Sequence, residues 1–260
     1  MESNFNYNEL LDLAAELGCR LMSSGAEIYR VEESMHRLLA AYQMDSAEVF
    51  AIPSCIIVSF TTPDGKPVTR MRRIQNHGTD LELLESCNDL CRRLCAETPP
   101  LNDAYDRLMT LPWETPRFSS SLVLLGYGLA PAFFALLFGG GLTDAVGALL
   151  VGLCVGITQL HGRKLLGSNN FFRTATSSTA ASLVAFFLVR CGIGSDVDTV
   201  TISALMMLVP GVALTNAMRE IMAGDTISSL SHAADAILIA VAIALGSAVG
   251  ITFTRMVQGG

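Results

Sequence analysis

The stretch LVPGVALTNAMREIMAGDTISSLSHAADA, residues 208–236, holds the densest set of groups able to handle a polar solute. Pro210 has no N–H to give to a helix, and Gly211 accepts unusual dihedrals. Together they predict a kinked or broken helix. Backbone carbonyls released at membrane depth need protein or water as partners, and broken helices of this kind build solute sites in membrane carriers. Thr215 and Asn216 follow with a hydroxyl and an amide. Gly224-Asp225-Thr226 reads as the end of one helix, with Asp225 or Thr226 capping the next. The run Ile227–His232, with Ser228 in it, reads as a re-entrant or interfacial segment. His232 reads as an interfacial surface residue, and Asp235 stands near the start of the next apolar run. Pro210, Gly211, Thr215, Asn216, Gly224, Asp225 and Ser228 are thus the candidates for a solute path, with capping and packing as the competing roles.

Two further groups stand earlier in the chain. Glu27, Arg30, Glu32 and Glu33 share one helix start, where they form intrahelical pairs or part of a site. Arg70 and Arg72 fall on one face of a strand. They suit a solute carboxylate, lipid headgroups or an acidic helix of the same chain. Cys87, Cys91 and Cys95, four apart, share a helical stripe and read as core side chains. His77 is the only histidine near them in sequence, and a metal site would need more ligands. No nucleophile–base set, metal-hydrolase signature or nucleotide loop is present in the sequence. The chain therefore reads as a non-enzyme without cofactor or metal.

The elements that carry these residues follow from composition. The 260 residues are 51% hydrophobic and 16% charged, with a net charge of −7. Ordinary soluble domains carry roughly 25% charged residues. Residues 1–118 hold 29 of the 41 charges, 11 basic and 18 acidic, and the remainder holds 6 of each. An acidic soluble segment is thus followed by one too apolar for water. That excludes a simple cytosolic enzyme, a disordered chain and a nucleic-acid binder, which would need a basic surface. No secretory leader is expected at the N-terminus, and seven scattered cysteines suit a reducing compartment.

Uncharged runs over 118–143, 145–160, 174–189, 199–218 and 236–254 predict five transmembrane helices, each long enough for most or all of a hydrocarbon core of about 30 Å. Gly147, Gly152 and Gly156 suggest close helix approach, and the hydroxyls of TATSSTAAS suit bonds to their own helix or a neighbour. Arg117, Arg163, Lys164, Arg173 and Arg219 fall on the side of the N-terminal segment, so that side reads as cytoplasmic and the C-terminus as outside. Trp113 reads as an interfacial anchor. Helices are expected over 7–21, from Ser23-Ser24-Gly25 onward, over 79–97 and over 101–109. A β-hairpin turning at Pro63-Asp64-Gly65 lies between the second and third. The expected architecture is mainly α: a cytoplasmic α/β domain at 1–110, a linker and anchor at 111–118, and a five-helix membrane domain at 119–260.

Three segments then carry a resemblance: SSGAEIYRVEESMHRLL, IIVSFTTPDGKPVTRMRRI and LVPGVALTNAMREIMAGD. In that order they resemble the threonine/serine exporter family, and more closely its shorter, split bacterial members. The resemblance implies a cytoplasmic domain ahead of a membrane bundle in the inner or plasma membrane, exporting threonine or serine. It also implies a separate small membrane subunit as partner, and in some split relatives a dicarboxylate cargo such as succinate. Five spans are few for a complete alternating-access carrier, so a partner subunit or a homo-oligomer is expected. Without a nucleotide motif, proton or ion coupling is expected, with Asp225, Asp235 and Asp144 as candidates. A membrane-anchored ligand sensor is the alternative of a different class.

Overall fold

The computed structural model describes residues 5–44, 46–75, 78–114, 118–165 and 169–258. His77, Arg117 and the side chains of Trp113, Arg163 and Lys164 lie outside the described residues, and the anchor and the orientation rest on sequence alone.

The chain divides into two compact units. One comprises residues 1–117 and 212–233, the other 118–211 and 234–260. The sequence reading assigns all of 119–260 to the membrane domain, but residues 212–233 pack with the N-terminal unit.

In the first unit, α1 (Tyr7–Ser23) starts at Asn6, whose side chain accepts from Asn8 N and Glu9 N. Leu10, Leu11, Ala14, Leu17 and Leu21 recur at helical spacing and are buried. The chain turns at Ser24-Gly25 into α2 (Ile28–Ala41), which buries Ile28, Val31, Met35, Leu38 and Leu39. Glu27 holds the N-cap position without a side-chain capping bond.

Three antiparallel strands follow, β1 (Glu48–Ile52), β2 (Cys55–Thr61) and β3 (Pro67–Arg73), in spatial order β1-β2-β3. Pro53 sits in the tight turn between β1 and β2, where its missing N–H costs no ladder bond. Period-two alternation sends Ile56, Val58 and Phe60 into the core. Phe50, Ile57 and Met71 form one cross-strand row on the other face.

Asp80 caps α3 (Leu81–Glu97) by accepting from Leu83 N. Cys87 and Cys91 lie in the core with Leu90 and Leu94. Burial, foremost, pushes the Cys91 thiol up to about 12. The next helix, α4 (Leu101–Glu114), runs past Met109, where the sequence pattern ends it.

The second unit holds α5 (Ser120–Leu137), α6 (Leu142–Leu165), α7 (Asn170–Arg190) and α8 (Val197–Leu205), with a 3-10 turn at Met206–Leu208. The uncharged run 118–143 holds one span, α5, which ends before the run does. Phe134 and Ala135 carbonyls accept the N–H groups of Phe138 and Gly140, Gly139 turns with φ +88°, and α6 begins beyond it. The core is built from small residues, among them Ala135, Ala148, Val151, Ala181, Ala185 and Ala204. Larger side chains such as Leu125, Phe133 and Leu137 are exposed on the outer surface, the arrangement of helices meeting lipid. Ser178 Oγ donates to Ile243 O at 2.6 Å, and Thr179 Oγ1 reaches both Ala175 O and Gly246 O at 2.9 Å. The hydroxyls thus serve their own helix and a neighbour, as the sequence suggests.

Last come α9 (Gly211–Ala223) and α10 (Thr226–Gln258). Continuous helix through Ile227–His232 replaces the expected re-entrant segment. Gly224, at φ +87°, ends α9, and Asp225 Oδ1 accepts from Ser228 N at 3.1 Å. One cap therefore starts a helix of 33 residues. Four helices are long and apolar enough to cross a membrane, or five if α8 and α9 form one interrupted span.

Candidate functional site

The helix interruption falls where the sequence places it. Helical bonding ends in the 3-10 turn at Met206–Leu208, Val209 is extended, and α9 starts at Gly211 directly after Pro210. Beyond this break, α9 carries polar residues on one face and apolar ones on the other. Asn216, Ala217 and Glu220 are buried, whereas Leu214, Met218, Ile221 and Met222 are exposed. Spacings of three and four residues bring Asn216, Arg219 and Glu220 to neighbouring positions.

This face meets the turn before α2. Asn216 Nδ2 donates to Gly25 O at 3.2 Å. Arg219 pairs with Glu27, which is only 6% exposed, and Arg30 approaches the same carboxylate at 3.4 Å. The fully buried Glu220 accepts from Ile28 N at 3.3 Å through Oε1. His232 Nε2 lies 3.5 Å from the same oxygen. Ser229 Oγ donates to Ala217 O at 3.0 Å and ties the start of α10 to α9. A helix N-terminus, two buried carboxylates, a guanidinium and an imidazole thus meet in one place, with the positive end of the α2 dipole facing Glu220.

Glu32, one turn further along α2, accepts from Ala51 N at 2.8 Å. Burial holds its carboxyl above the usual glutamate range, an effect the Ala51 N–H partly offsets and the Asp225 charge reinforces.

The structure brings Asn216, Asp225, Ser228, Glu27 and Glu32 into this one unit. Ser228 is buried, Asp225 half-buried, and Thr215, Gly224 and Asp235 are exposed. Arg70 and Arg72 do share a face, and the carboxylate they meet is that of Asp12, at 2.9 and 3.6 Å. Asp144 belongs to the second unit. It is 4% exposed and accepts from Ser195 N, Gly141 N and Asp196 N at 2.6, 2.9 and 3.1 Å, which is how a loop-fastening residue behaves. Among the described residues no cluster could hold a metal ion.

The sequence-based set omits Glu220 and Arg219 as site residues. The available signal was the spacing of Asn216 and Glu220, four apart on one face. What hid them is that a charged pair in sequence reads as solvated surface until its partners are known.

These features define a multi-pass membrane protein with a buried polar face on α9. The family described as "Putative threonine/serine exporter" matches residues 12–254. A "Probable threonine/serine exporter" of Mycobacterium tuberculosis is 27% identical over 92% of this chain and 45% of its own length. A "Probable succinate transporter subunit YjjP" of Escherichia coli is 28% identical over 92% of this chain and 93% of that one. A "Pheromone-regulated membrane protein 10" of Pichia sorbitophila is 26% identical over 88% of this chain and 23% of its own. The chain thus spans less than half of the mycobacterial and yeast relatives. No solved structure matches it. The chain belongs to the threonine/serine exporter family.

Proposed function

We propose that the chain is a subunit of a secondary transporter that exports a small amino acid such as threonine or serine, coupled to protons or another ion. The observation that carries this reading is the family match, which runs through both compact units and includes the interrupted helix and its polar face. The candidate solute-path residues are Pro210 and Gly211 at the interruption and, on α9 and the turn after it, Thr215, Asn216, Gly224, Asp225 and Ser228. Asp225, Asp235 and Asp144 are its first candidates for coupling. The N-terminal domain, residues 1–110, would face the cytoplasm, with the C-terminus outside. A second small membrane subunit or further copies of the chain would complete the carrier, a view supported by the word "subunit" in the E. coli relative's name.

That same relative favours a second reading, export of a small dicarboxylate such as succinate. The two are separable in one assay. Vesicles holding the chain, with and without a co-expressed partner subunit, are loaded with labelled threonine, serine or succinate. Efflux is then followed under an imposed proton gradient. Gradient-dependent release of an amino acid supports the first reading, and of succinate alone the second. No release of any of the three from either preparation refutes both.

A further inference from the structure

We infer that Glu220 and His232 form a buried proton-binding pair, loaded with one proton and empty with none. The inference deepens the export reading, on which its consequence for coupling rests.

The pair is enclosed and incompletely bonded. Glu220 is 0% exposed, and its Oε1 takes both the Ile28 N–H and the approach of His232 Nε2. Its Oε2 is shut off from solvent and has no hydrogen-bond partner among the described residues. A second buried group shows the same deficit, since Ser228 is 0% exposed and its hydroxyl also finds no partner among them. An ionised carboxylate offers about four lone-pair sites, and leaving one oxygen bare in a dry setting is costly. A proton on the pair removes that charge, either as a carboxylic acid beside a neutral imidazole or as a carboxylate beside an imidazolium. Binding adds one proton and raises the net charge of the pair from −1 to 0.

The surroundings hold neither state firmly. From α2, Glu27 presents a like charge, but its carboxylate is engaged by Arg219 of α9 and by Arg30. Asp225, in the turn between α9 and α10, presents a second like charge, and its Oδ1 accepts from Ser228 N. These two favour the loaded state. The N-terminus of α2 and its Ile28 N–H favour the empty one. Such opposition is what a reversible coupling group requires, because a pair locked in one state carries nothing. Two of the three sequence-based candidates lack it: Asp144 is held by three backbone N–H groups, and Asp235 is exposed.

The test is a proton count on the full chain in vesicles, with the wild type compared with Glu220→Gln. The amide still accepts from Ile28 N, so packing is kept. Over a titration from about pH 4 to 9, which brackets the ordinary carboxyl and imidazole ranges, the variant should take up about one proton fewer per chain. His232→Asn should displace the wild-type uptake step along the pH axis. In the same vesicles Glu220→Gln should make efflux indifferent to the proton gradient. Equal proton counts for wild type and Glu220→Gln, or a step unmoved by His232→Asn, overturn the inference. Absence of efflux from wild-type vesicles bears instead on the export reading, since the proton count needs no cargo.

Discussion

An alanine at Gly152 tests whether close backbone approach, rather than apolar character alone, holds α5 against α6. A Cβ built there lies 2.1 Å from Tyr127 O and 2.7 Å from Pro131 Cγ. The first obstacle is backbone and cannot swing aside, so the helices must part by about 1 Å to reach even a tight contact. A gap of 0.5–1 Å forfeits about a quarter to a half of the attraction between facing atoms, and overpacking of this kind costs about 1–3 kcal/mol. The control is Gly126→Ala on α5, where an added Cβ meets nothing within 4 Å. Both changes replace a helical glycine by alanine and gain the same propensity term, about 1 kcal/mol, so it cancels between them. The two variants should therefore differ by about 1–3 kcal/mol, with Gly126→Ala the more stable. Thermal unfolding in detergent, followed by loss of helical circular dichroism, reads this as a separation of several degrees. Coincident melting curves for the two variants would refute the reasoning.

Three other outcomes are expected. Replacing Pro210 and Gly211 together by alanine lets helix run on through the interruption, so efflux from loaded vesicles should fall sharply while membrane insertion stays intact; equal efflux would remove the break from the transport path. Asp144→Ala leaves the N–H groups of Ser195, Gly141 and Asp196 without their carboxylate, which should cost about 2–3 kcal/mol in a detergent melt; a coupling role would instead abolish gradient dependence with stability unchanged. Glu32 is held above the ordinary glutamate range, so the folded chain binds more protons there than the unfolded one. Its contribution is complete below the ordinary value and is lost as pH rises through the raised one. Subtracting the stability–pH curve of Glu32→Gln from the wild type should leave a difference that falls with rising pH over that window, and parallel curves would exclude it.

Periodicity and punctuation made much of the architecture legible from sequence. Leu10, Ala14, Leu17 and Leu21, three or four residues apart, place α1, because an amphipathic helix advertises its buried stripe. Pro53 and Pro63-Asp64-Gly65 divide the strands, and Pro210-Gly211 marks the helix break, because these residues act through their own backbone. Uncharged length announces membrane helices, since hydrocarbon admits few alternatives. Local rules failed where continuation or termination depended on bonds made elsewhere. The run 118–143 looks unbroken because glycine is apolar, yet Gly139 turns the chain. Polar Ile227–His232 looks like an interruption, yet it stays helical once Asp225 caps it.

The amino-acid sequence by itself therefore determined the membrane class, the family and the position of the helix break, each a property of local composition or of motifs in order. Only the tertiary structure decided that the polar face of α9 is inward. Glu220 is buried against His232 and against Ile28 N, which lies 192 positions away in the chain. A charge turned toward water and a charge sealed in a cluster have the same letters. What distinguishes them is the solvent they lose and the partners they gain on folding.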